Sequence, residues 1–280
     1  MVKTALLTCS ALLLFVPLLS WATDRKPWFG NEYETEWQLS LLYQNYTTLA
    51  TADRSRCKRD ENDTFLTLGA TYPFKRYSGE FEITGANTRH QKHRVDNLRL
   101  TGRYQWMNDI DEPLSMVTSI TVGQSYTRAV HDISSFHHGR IEGEACFSYG
   151  KKYGYPGSNK FLFRWWNILT IGQAEQGRPW LRGDAACEYN YGDVHQFRGF
   201  VNTLWGMGNK KLHPNCFDGY GNIKHQSVDL GIRYGYTIGR WGTLNMEYAR
   251  RIYARNFPKN SNLVLLKYYL PFGTQVSCNY

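Results

Sequence analysis

Charged side chains in this sequence tend to recur two residues apart, a spacing that puts them on one face of an extended strand. Glu80 with Glu82, Arg99 with Arg103, Arg140 with Glu142 and Glu144, and Arg182 with Asp184 and Glu188 form such sets. Glu36, Arg164, Arg198, Asp229, Arg233, Glu247 and Arg251 extend the series. The bases expected on this face are all Arg. A guanidinium suits a confined wet site because it grips carboxylates or phosphates with two parallel hydrogen bonds and is less heavily hydrated than an ammonium. Acids and bases are nearly balanced and alternate between neighbouring strands, so pairing offsets much of the cost of desolvating them. Two chemistries fit: a polar passage whose charged rows sort solutes, or an ion-paired closed interior.

The other reactive residues carry less. His131-Asp132-Ile133-Ser134-Ser135, with His137 and His138 nearby, offers a base and a nucleophile. On a strand, however, His131 and Ser134 would point to opposite faces. No catalytic residue is therefore assigned, and the chain is read as a non-enzyme. His90, His93, His131, His137 and His138 repeat no ligand spacing, so neither a metal nor another cofactor is expected, and the run is read as a polar surface loop.

The elements that must position the charged rows are strands of about ten residues, the length that crosses a bilayer at a tilt. In the clearest, Leu98, Leu100, Gly102, Tyr104 and Trp106 oppose Asn97, Arg99, Thr101, Arg103 and Gln105. Twelve are expected, at 34–46, 63–73, 77–87, 97–107, 114–127, 139–149, 160–172, 180–191, 196–207, 226–238, 242–253 and 262–272. Ten to fourteen fit the pattern. The seventh is the least regular, because both of its faces are largely apolar. Connections alternate between long, near Cys57 and Pro214, and short, at Pro73 to Tyr77 and Gly239, as in barrels with long outer loops and short periplasmic turns. The fold class is all-β, an antiparallel up-and-down transmembrane barrel with both termini at the periplasmic end.

Aromatic residues supply a second pattern. They are 15% of the 280 residues, which is high for a chain whose mean hydropathy is negative. Five outward pairs end the descending strands: Tyr72 and Phe74, Tyr104 and Trp106, Phe147 and Tyr149, Tyr189 and Tyr191, Tyr234 and Tyr236. Rings gathered at one rim read as a girdle where lipid tails meet headgroups. The N-terminus has Lys3, an apolar run from Ala5 to Leu19 and then Ser20-Trp21-Ala22, the three parts of an export leader, with cleavage expected after Ala22. Residues 23–280 would then form one barrel domain.

The chain's last residues, Val276, Cys278 and Tyr280 in one parity, resemble the terminal-strand signal of bacterial outer-membrane barrel proteins. That resemblance implies a Gram-negative outer-membrane location and insertion by the barrel-assembly machinery. The Arg-lined interior resembles small twelve-stranded porins that admit acidic oligosaccharides, although here acids match bases. It implies a narrow channel for small polar or charged solutes, with Arg99, Arg103, Arg140, Arg182, Arg198, Arg233, Arg251, Glu80, Glu82, Glu142, Glu144, Asp184 and Glu188 lining the pore. A structural or adhesion barrel with an ion-paired closed lumen is the alternative. A lipid-modifying hydrolase ranks third, from a weak likeness of the His131 run to outer-membrane phospholipases. The net charge of +9 points to lipid headgroups rather than nucleic acid in an exported protein. Basic residues of the first two outer loops, among them Arg54, Arg59, Arg89 and Lys92, suit lipopolysaccharide phosphates. Cys57 and Cys216, both expected in long outer loops, form a candidate disulfide.

Overall fold

The computed structural model describes residues 18–19, 24–51, 56–154 and 161–273. The expected cleavage site after Ala22 and the terminal Val276, Cys278 and Tyr280 lie outside them. Alternation of inward and outward side chains runs through twelve long strands. They are β1 Glu34–Ala50, β2 Arg56–Phe74, β3 Tyr77–Asn87, β4 Arg94–Met107, β5 Ser115–Ser125, β6 Ile141–Gly154, β7 Phe161–Ala174, β8 Trp180–Tyr191, β9 His195–Gly206, β10 Gln226–Thr237, β11 Thr243–Arg255 and β12 Asn262–Gly273. Each pairs antiparallel with the next, and β12 returns to β1 in a register from Asn262 opposite Asn45 to Gly273 opposite Glu34. The sheet closes on itself, so the unpaired edges that an open sheet would expose are used up. A three-residue segment, Phe257–Lys259, pairs with the outer end of β1.

The outward face is apolar. Leu100 is 62% exposed, Ile120 68% and Ile232 66%, and Leu169, Leu230, Met246 and Val264 continue the band. Thr101, next to Leu100, is buried inside and shares a hydrogen bond with Thr121 of β5. All five expected aromatic pairs point outward at the short-turn rim. Tyr104 meets Trp106 edge to face at 4.7 Å, Phe147 stacks on Tyr149, and Tyr234 touches Phe197 and His195.

Several boundaries differ from the sequence reading. The long first outer loop expected around Cys57 is largely strand: β1 reaches Ala50 and β2 starts at Arg56. A bulge between Tyr46 and Thr48 shifts the register there, and this shift hid the continuing strand from a search for strict alternation. Cys57 therefore sits on β2 opposite Leu49 rather than in a loop. Cys216 ends a short turn, Pro214–Cys216, and both cysteines are free and exposed, which corrects the disulfide expectation.

Three further segments occupy the barrel. Residues 24–33 run inside it from the short-turn rim, where the Tyr33 amide donates to the Pro73 carbonyl. At the opposite mouth residues 126–140, with a helical turn Thr127–Val130, fold inward over the lumen, and 207–225 pack against them. We term the first the plug and the second pair the lid.

Candidate functional site: the plugged lumen

The plug is held almost entirely by polar bonds to the wall. Asp24 accepts from Arg198 on β9 at 3.0 Å and from Arg233 on β10 at 2.5 Å. Arg25 donates to Glu144 on β6 at 2.5 Å, and the same carboxylate takes Arg99 of β4 at 2.8 Å. The Lys26 carbonyl accepts from Arg103, whose guanidinium also pairs with Glu80 at 2.8 Å and lies over the Phe29 ring. Gln105 and Ser115 donate to the Pro27 carbonyl. One apolar anchor completes the set. Trp28 packs edge to face on Trp166 with ring centres 5.9 Å apart, against Cys146 and Ile168, and its indole N–H donates to Asp109.

That anchor accounts for the irregular seventh strand. Trp166 and Ile168 face inward on β7 because they meet the plug rather than water, so β7 is apolar on both faces. The apolar interior parity of β7 was the sequence signal for a segment inside the barrel. Sequence reasoning, which placed no element before residue 34, did not use it.

Most interior charges pair between neighbouring strands. Glu188 takes Arg198 at 2.6 Å and also pairs with Arg164; Glu247 takes Arg233 at 2.6 Å; Asp229 holds Arg251 through two bonds of 2.7 and 2.9 Å. Glu82 is buried opposite Arg99. Arg182 is loosely placed, 3.6 Å from Asp184 and 3.7 Å from Glu144. Arg140 departs from expectation: it is exposed at the bend before β6 begins, because the inward fold of the lid ends there. Glu142 serves the lid rather than a passage, accepting the His138 amide at 2.5 Å. The expectation of an all-Arg interior is also corrected. Lys267 on β12 faces inward and is 1% exposed.

The lid is not the solvated loop the sequence suggested. Asp132, Ile133, Ser134, His137 and His138 are buried, and a cluster of Tyr46, Leu49, Ile133, Leu212, Tyr220, Ile223 and Phe257 glues both lid segments to the mouth. The Tyr220 amide donates to the His137 carbonyl at 2.8 Å, stitching the two segments together. His138 stacks on Trp180 at 3.7 Å, and its Nε2 lies 3.2 Å from Nε2 of His225. Inward Gly172 and Gly206 make this possible, since a β-carbon at either would collide with the Trp180 or His225 ring.

The proposed base and nucleophile do not meet. His131 is exposed and pairs with Asp218, while Ser134 is buried against the Tyr46 hydroxyl. Instead Ser125 contacts His137 Nδ1 at 2.9 Å and Asp96 contacts its Nε2 at 2.7 Å. Serine and carboxylate here belong to the wall and the imidazole to the lid, so these bonds tie the lid down. Burial opposes charge on His137, but the Asp96 and Glu142 carboxylates outweigh it and raise the imidazole above its usual value. His90 pairs with Arg59 on the rim and His93 is exposed, so the five histidines stay dispersed. Among the described residues no group of three or more His, Cys, Asp or Glu is placed to hold a metal ion.

Between plug and lid lie two adjoining cavities that share Arg182 and Asn202 in their walls. Plug and lid therefore narrow the barrel at two levels and leave hollow space between them. No protein-family model and no curated protein sequence matches the chain. Among solved structures, an outer-membrane channel from Pseudomonas putida F1 is similar over 91% of this chain and 100% of its own, with TM-score 0.69 and 10% identity. The shared feature is the fold, an outer-membrane β-barrel. The porin NanC is similar over 85% of this chain and 100% of its own, with TM-score 0.54 and 9% identity. At such identities the likeness is one of architecture, and the channel fold says nothing about which residues act.

Proposed function

We propose that this protein is a gated, narrow channel of the Gram-negative outer membrane that passes small polar or charged solutes. In this reading the leader is removed after Ala22, both termini face the periplasm, and lipid surrounds the band around Leu100, Ile120 and Ile232. The carrying observation is what fills the lumen. A ring of about eight strands can be filled by its own side chains, whereas twelve leave room. Here that room holds a chain segment bonded through exchangeable polar contacts, with water-sized space beyond it. Withdrawing such a plug exposes a wall already lined with charge, and rows of charged side chains set which ions pass.

The extensive interior pairing favours a second reading, a structural or adhesion barrel whose lumen stays shut. Liposome swelling separates the two. Proteoliposomes of the folded protein in arabinose should swell faster than protein-free ones, and faster again when residues 24–29 are deleted. Equal rates in all three would favour the closed barrel. The exposed Arg89, Lys92 and Arg94 at the outer mouth make lipopolysaccharide phosphates the proposed lipid partner there.

A further inference from the structure

Asp24 occupies a site that the wall has built around it. Arg198 reaches its two oxygens at 3.0 and 3.2 Å and Arg233 at 2.5 and 3.2 Å, from adjacent strands, and the Tyr269 hydroxyl of β12 lies at 3.5 Å. Arg233 grips the carboxylate with both terminal nitrogens and Arg198 bridges its oxygens through Nη1. Two guanidiniums converging on one carboxylate form an arrangement by which proteins hold a free carboxylate or phosphate. Each fork also keeps a wall carboxylate of its own, Glu188 or Glu247, at 2.6 Å. Departure of Asp24 would leave neither bare.

The cavity beside Asp24 has donors to spare. Five cationic and three acidic side chains line it. Arg25 is 5% exposed and its Nη1 has no hydrogen-bond partner among the described residues. Lys267, 1% exposed, makes no ion pair among the described residues, and its ammonium lies 5.3 Å from the Tyr269 ring centre. Among the described residues Arg182 reaches no carboxylate closer than 3.6 Å. Buried cationic donors without acceptors are costly, and an anion brought in from outside relieves that cost.

We infer that Arg198, Arg233, Lys267 and Tyr269 form an oxyanion site in the lumen, in which Asp24 is a built-in stand-in for the carboxylate or phosphate group of a solute. A solute carrying either group competes with Asp24 for the two guanidiniums and unseats the tip of the plug. The anchored end of the plug is at the rim and, once the leader is gone, its other end is free. The tip can therefore withdraw without threading a loop through the barrel. Opening of a passage on displacement rests on the channel reading; the binding itself does not.

The test is calorimetric titration of the folded protein lacking the leader, in detergent, with sodium phosphate and with sodium succinate. A self-occupied site binds more weakly by the fraction of time it is vacant. Asp24→Ala should therefore bind at least one of the two anions roughly tenfold more tightly than wild type. Lys267→Gln removes a cation that makes no ion pair among the described residues, so the barrel keeps its heat-modifiable mobility while the gain is lost in the double variant. Tightening for phosphate alone or for succinate alone supports the site and names the group it prefers. Equal or weaker binding by Asp24→Ala, or no binding by any form, overturns it. Tighter binding in a protein that never conducts keeps the site and refutes the channel, and conduction without binding does the reverse.

Discussion

His225 and His137 lie on opposite sides of the lid and titrate in opposite directions. Burial, with the His138 ring beside it, pushes His225 from 6.5 down to about 3. An unfolded lid takes up that proton near 6.5 and a seated one does not, so seating weakens as the pH falls through 6.5 towards 3. By pH 5 the loss is about 2 kcal/mol. His137 is raised, so its contribution is complete below 6.5 and fades as the pH climbs through its higher value. These two histidines alone would make the lid firmest near 6.5. Hydrogen exchange at the Tyr220 amide, corrected for intrinsic rates, reports seating: protection should drop from pH 6.5 to 5 in wild type and hold steady in His225→Gln. At this scale the orientation of charged side chains was legible wherever a strand kept its alternation, as for Glu80, Arg99 and Arg233. Arg140 has the right parity but falls in the bend that the lid imposes. Lys267 was passed over because Leu263 to Leu270 reads as an apolar run, although its parity alone places it inside.

At the scale of elements, the wall could be read and its contents could not. Period two and the alternation of long and short connections follow from local geometry, and they located all twelve strands. Plug and lid are irregular backbone held by contacts distant in sequence, such as Asp24 to Arg233 and Tyr46 to Ser134, and no periodicity announces such contacts. The doubly apolar β7 was the exception, since Trp166 and Ile168 are the imprint of Trp28. Trp28→Ala should therefore loosen the plug by about 3 to 5 kcal/mol, the usual cost of deleting a buried Trp side chain. Arg25, buried in wild type, becomes a trypsin site when the plug swings out, whereas the Lys26–Pro27 bond resists trypsin in either state. N-terminal sequencing after digestion of the folded protein should find cleavage after Arg25 in the variant and an intact segment in wild type. Equal resistance would mean that the polar bonds alone seat the plug.

At the scale of the whole molecule, the closed ring turns one apolar parity outward and one charged parity inward. Leu100→Arg should cost about 2 to 4 kcal/mol if Leu100 meets lipid near the midplane, read as a lower temperature for loss of heat-modifiable mobility. Ile232→Leu, which keeps the band apolar, should leave that temperature unchanged. The central claim is that a conducting barrel is held shut by its own first residues. Single-channel recording in planar bilayers tests it most directly, comparing wild type with a protein lacking residues 24–29 whose folding is verified by mobility. The account predicts brief, rare openings for wild type and long-lived openings of higher conductance for the deletion. Silent traces from both folded proteins across a wide voltage range would contradict it.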